Sequence, residues 1–134
     1  MDYSPGLRGV VAGETAISTV GKEGTSLRYR GYDATELTSN NIYEEVASLI
    51  LTNTLEDKNF KKSFSKYYLE TTKDNKLNEL LLEIKEKLHP MDVVRTIVSY
   101  KGELTTLRKK SLDNEDKTEL SARITAIVCY IIAS

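Results

Sequence analysis

The sequence contains one cysteine, Cys129, and one histidine, His89, in 134 residues. No intrachain disulfide can form, and this pair alone cannot make a Cys/His zinc site. A Cys–His nucleophilic couple would require these two residues to meet. A surplus of either charge is also missing: 19 Lys and Arg face 20 Asp and Glu, a net charge of -1. Without excess base, general binding to nucleic acid or to an anionic membrane is not expected. The longest apolar stretch, Ile124 to Ala133, is shorter than the roughly 20 residues a membrane-spanning helix needs. No charged segment followed by an apolar one opens the chain, so no secretory signal is read there. A cytoplasmic, reducing location is the expectation. Generic catalytic motifs are absent too: no Gly-rich phosphate loop with its Lys and Ser/Thr, no metalloprotease helix and no nucleophile elbow.

What remains is an ordinary globular composition, 40% apolar and 29% charged. The length suits one domain or part of a larger one. Five of the seven glycines fall in the first 24 positions, and Gly31 follows. Between them lie two short alternating runs, Ala16 to Val20 and Ser26 to Tyr29, separated by Gly21-Lys22-Glu23-Gly24. That pattern predicts a β-hairpin, with the Gly21–Gly24 segment as its turn rather than a phosphate loop. An isolated hairpin is marginal in water, so it must lie on something larger.

After Tyr32 the period changes to that of helices. Asp33 with Glu36 predicts a helix start, the carboxylate accepting from free backbone N–H groups. That helix should end near Asn40-Asn41. Val46, Leu49, Ile50 and Leu51 give a second apolar face. Phe60, Phe64 and Tyr67 predict a helix over 58–71. Leu77, Leu80, Leu81, Ile84 and Leu88 predict another over 76–88. Pro90 suits a first helical position, Asp92 faces that helix's positive end, and Met91, Val94, Ile97 and Val98 form its inward stripe. Residues 101–117 read as the end of that helix and a mobile loop. A last helix, from about Asp116, is almost wholly apolar from Ile124 onward. Such a helix belongs in the middle of a core, so more chain or another subunit is expected to cover it. Ile124, Ile127, Val128, Ile131 and Ile132 would form the aliphatic surface of a self-association.

Chemistry-bearing residues are few. Cys129, within the apolar run, reads as a small buried hydrophobe rather than a reactive thiol. Glu44 and Glu45 read as first-turn acids favoured by the helix dipole. His89, ahead of Pro90, could be a general base, but no partner is evident nearby, and a role at the helix start fits better.

Four segments, in order, resemble one family. Tyr3 to Ser18, beginning Tyr3-Ser4-Pro5-Gly6-Leu7-Arg8-Gly9, resembles the opening segment of citrate synthases and 2-methylcitrate synthases. Leu27-Arg28-Tyr29-Arg30-Gly31-Tyr32-Asp33 is similar to the family's YRGY(D/S)I segment. Tyr43-Glu44-Glu45-Val46-Ala47 is similar to its FEEVAxLL helix. His89-Pro90-Met91-Asp92-Val93-Val94-Arg95-Thr96 resembles HPMDVMRT, typical of the 2-methylcitrate branch.

The resemblance implies a mainly α fold with one N-terminal β-hairpin. Residues 1–134 would be the N-terminal segment of a large domain, with 1–32 the opening segment and hairpin and 33–134 the helices. It implies a homodimeric enzyme that condenses acetyl-CoA or propionyl-CoA with oxaloacetate and holds no tightly bound cofactor and no metal. In the family an aspartate removes the proton alpha to the thioester, one histidine stabilises the enol, and a second polarises the keto group. Those positions lie beyond the stretch that this sequence matches, so no catalytic residue is assigned here, and His89 is not one of the two histidines. Arg8 matches an arginine that in some relatives reaches a phosphate of CoA in the partner's active site. A guanidinium suits phosphate by charge and by its fork of donors.

Two departures stand out. The helix connection that carries a proline in the family reads Asn53-Thr54-Leu55-Glu56-Asp57. After HPMDVMR, Tyr100 and Lys101 stand where Ala and Leu are usual, on a helix that packs at the family's dimer interface. The alternative to an enzyme segment is a non-catalytic helical module, for dimerisation or regulation, derived from the same family.

Overall fold

A computed structural model describes residues 9–11, 13–20, 26–101 and 114–134. In chain order the described elements are β1 (Ser18–Thr19), β2 (Arg28–Tyr29), β3 (Tyr32–Asp33), α1 (Ala34–Asn40), α2 (Tyr43–Thr52), α3 (Lys58–Thr72), α4 (Asn75–Ile84), α5 (Pro90–Lys101) and α6 (Asn114–Ala133). The fold is mainly α, as expected. The chain divides into two compact units, Met1–Asn40 and Asn41–Ser134.

In the first unit, β1 and β2 pair antiparallel, Ser18 opposite Tyr29 and Thr19 opposite Arg28. This is the expected hairpin; its Gly21–Gly24 turn lies outside the described residues. The sheet has a third strand that alternation did not reveal. β3 pairs with β2, Arg28 opposite Asp33 and Tyr29 opposite Tyr32. Arg30 and Gly31 make the turn between them with φ of +51° and +90°. Positive φ at both central residues matches the twist of the flanking strands, and glycine takes the second place without steric cost. Asp33 then starts α1 as expected: its Oδ1 accepts from the N–H of Thr35 at 2.8 Å and of Glu36 at 3.3 Å.

The second unit is built on α6. Leu77 and Leu81 of α4, Val93 and Ile97 of α5, and Ile127 and Ile131 of α6 form one buried cluster. Phe60, Phe64 and Tyr67 of α3 pack with Ala122 and Ala126 of α6 in another. Alanines on that side of α6 leave room for the large rings of α3. Phe60 and Phe64 stack with centroids 6.3 Å apart, and the aromatic row continues through Tyr68 to an edge-on Tyr130. The apolar rod thus resolves into stripes. Ala122 and Ala126 face α3, and Ile127 and Ile131 face α4 and α5. Ile124 and Ile132 lie on the outward side, with the half-buried Val128 between them at the same four-residue spacing. Ile124 is 40% exposed and Ile132 72%.

Three expectations need correction. α4 ends at Ile84 rather than 88, and Leu88 is 41% exposed instead of continuing the stripe. The chain turns there because both Lys87 and Leu88 donate their N–H to the Ile84 carbonyl, each at 3.0 Å. Pro90 also disfavours helical backbone at His89. Met91 is 65% exposed. The inward stripe of α5 is centred on Val93 and Ile97, and Met91, two positions earlier, sits about 200° around the helix. Finally, Leu51 is 46% exposed rather than part of the buried face of α2, while α6 starts at Asn114, close to the expected start near Asp116.

Candidate functional site

The side chains able to do chemistry are mostly committed to helix ends. Asp57 caps α3, its Oδ1 accepting from the Phe60 N–H at 2.8 Å, and Asp74 caps α4 through the Leu77 N–H at 3.1 Å. Such caps satisfy backbone donors that no helical carbonyl can reach. The Asp74 carboxylate also receives Lys101 from the end of α5, and this partner holds its pKa below the ordinary value. Lys101 thereby ties α5 to the start of α4.

Glu45 is bound from three directions. Its Oε2 accepts from Asn41 Nδ2 at 3.0 Å and from the Ile42 N–H at 3.3 Å, and its Oε1 accepts from Lys61 Nζ at 3.0 Å. Asn41, then Lys61, lowers its pKa. Glu44 and Glu45 both lie in the first turn of α2, as expected. At the other end of α2 the backbone itself makes the stop. Asn53 takes φ +64° and returns its N–H to the Leu49 carbonyl at 2.9 Å, a left-handed stop that asparagine tolerates well.

His89 acts at a helix start. Its Nδ1 accepts from the Met91 N–H at 3.2 Å, and its carbonyl receives the N–H of Asp92 and of Val93. Cys129 is half-buried and packs against the Phe60 cluster. It lies beside Tyr43, whose phenol is pushed up to about 12 by partial burial and then by the thiol. Among the described residues no hydrogen bond joins His89 to Cys129.

Along the α3–α6 seam, the Tyr67 hydroxyl donates to Glu119, while Lys66 and Arg123 lie 4.7 and 5.1 Å from the centre of its ring. Burial, then Glu119, raises the Tyr67 pKa. Beside it opens a polar cleft of about 570 Å³ lined by Asp57, Asn59, Lys62, Ser63, Lys66, Thr118 and Glu119. Among the described residues no three His, Cys, Asp or Glu side chains gather as a metal would need, and no helix is long and apolar enough to cross a membrane. Arg8, the one cofactor-contact residue expected from the sequence, lies outside the described residues. The cap aspartates and the Tyr67–Glu119 contact were not singled out from sequence. Asp57 three residues before Phe60, and Asp74 three before Leu77, carried a readable start signal; the Tyr67–Glu119 pair spans 52 residues and carried none.

A helical scaffold whose polar groups hold helices together is the class this arrangement defines. A family model described as "Citrate synthase, C-terminal domain" matches residues 6–134. The chain belongs to the citrate synthase family. It is 40% identical over 129 residues to the 2-methylcitrate synthase of Shewanella oneidensis, covering 93% of this chain and 34% of that protein. It is 38% identical over 97 residues to the citrate synthase of Mycolicibacterium smegmatis, covering 72% of this chain and 26% of that protein. The citrate/2-methylcitrate synthase of Bacillus subtilis is 35% identical over 98 residues, again 72% of this chain and 26% of the relative. The chain therefore spans about a third or less of the length of these relatives.

Proposed function

We propose that this chain is the N-terminal part of an acyl-CoA:oxaloacetate C-acyltransferase of the cytoplasm, and that it supplies scaffold rather than reacting groups. The full-length enzyme would condense acetyl-CoA or propionyl-CoA with oxaloacetate. The match over residues 6–134 carries this reading, together with relatives named as citrate and 2-methylcitrate synthases. The local chemistry supports the scaffold role. The carboxylates of Asp57 and Asp74 are caps, Glu45 is held by three donors, and His89 holds the start of α5. General acid–base catalysis needs a base free to meet its proton, and these groups are committed elsewhere. Arg8 is the residue of this chain assigned to substrate, through a phosphate of CoA in a homodimer. Acyl-CoA is then a substrate, and no resident cofactor is required.

Two measurements test the proposal. The purified 134-residue chain, given acetyl- or propionyl-CoA and oxaloacetate, should release thiol no faster than buffer. Turnover above that rate overturns the scaffold role. Replacing the aligned stretch of the Shewanella oneidensis 2-methylcitrate synthase with this chain should preserve condensation. A folded chimera without activity argues against an enzyme segment.

The outward stripe Ile124, Val128 and Ile132 favours a second reading, a non-catalytic module that associates with itself. Burying aliphatic side chains of this size yields roughly 1.5–3 kcal/mol each, enough to offset part of the cost of association. A chain that pairs in solution, from a gene whose reading frame continues into none of the family's histidine motifs, would support the module over the enzyme segment.

A further inference from the structure

We draw no further inference here: the strongest candidate, the polar cleft between α3 and the start of α6, sets Lys62 and Lys66 against Asp57 and Glu119 so that its charges cancel, and nothing in the structure points to a ligand that would fill it.

Discussion

Ser48 offers the sharpest test of how this helical unit is held together. It is fully buried in α2. Its hydroxyl donates to the Thr54 carbonyl at 2.7 Å and accepts from the Asp57 N–H at 3.2 Å. Asp57 in turn caps α3. One oxygen thus joins the end of α2 to the start of α3 across the connecting residues 53–57. Ser48→Ala removes that oxygen and little volume, so the cavity contribution is small. Each net hydrogen bond contributes about 0.5–1.5 kcal/mol, and a buried donor left unpaired costs about 1–3 kcal/mol. Thr54 is exposed and can turn its carbonyl to water, which leaves the Asp57 N–H as the main loss. The expected destabilisation is about 1–3 kcal/mol. Urea unfolding followed by helical circular dichroism should show it as a midpoint lower by roughly 1 M, with an unchanged slope, for a slope near 2 kcal/mol/M. Ser39→Ala is the control: that exposed hydroxyl bonds back to the Thr35 carbonyl within its own helix, and its loss should stay within about 0.5 kcal/mol. The double variant Ser48→Ala/Asp57→Ala should cost less than the sum of its parts, because Ser48 positions the residue that caps α3. A Ser48→Ala variant as stable as Ser39→Ala would refute the reasoning.

Acid should release the Asp74–Lys101 tie. Because the folded pKa of Asp74 is lowered, its contribution is present above the ordinary carboxylate range and is lost as pH falls through the lowered value; Lys101→Met should flatten that acid limb in stability measured against pH. His89→Ala should cost about 0.5–2 kcal/mol through the lost cap, and His89→Asn should recover most of it in thermal unfolding. Ile132→Glu should weaken self-association by sedimentation equilibrium while helical content is retained, and equal association of both chains would remove the outward stripe as an interface. Ile131→Glu should unfold the unit instead, since it places a charge in the cluster of Leu77, Val93 and Ile97.

Local signals carried most of the fold. Phe60, Phe64 and Tyr67 fall on one face because their spacing is helical, and all three are buried. Asp33, Pro90 and the Ala16–Tyr29 alternation marked starts and strands that need only neighbouring residues to form. β3 escaped because two residues are too few for alternation to show; the signal was the Arg30-Gly31 turn. Leu88 and Met91 were misplaced for a shared reason. Both flank Pro90, where the chain leaves one helix axis and takes another, and periodicity carried across that break assigns the wrong face. Of the candidate site, His89 at its helix start and the first-turn acids were legible because caps are local. The pairs Tyr67–Glu119 and Lys101–Asp74 were not, since contact between distant residues depends on how helices cross.

The last helix shows why composition can state burial and still miss the face. Its apolar run predicts a rod covered on every side, yet Ile131 is buried and Ile132 is 72% exposed. Adjacent residues are about 100° apart on a helix, so α3 on one side and α4 and α5 on the other cover Ala122, Ala126, Ile127 and Ile131 while leaving Ile124 and Ile132 outside. The side chains already divide the work. The small residues admit the rings of α3, and the branched ones fill the space against α4 and α5. A substitution meant to probe association therefore belongs on the third stripe. The aliphatic surface expected from the apolar run, which includes Ile127 and Ile131, combines core positions with outward ones. A charge at either core position would register as unfolding whether or not two chains ever meet.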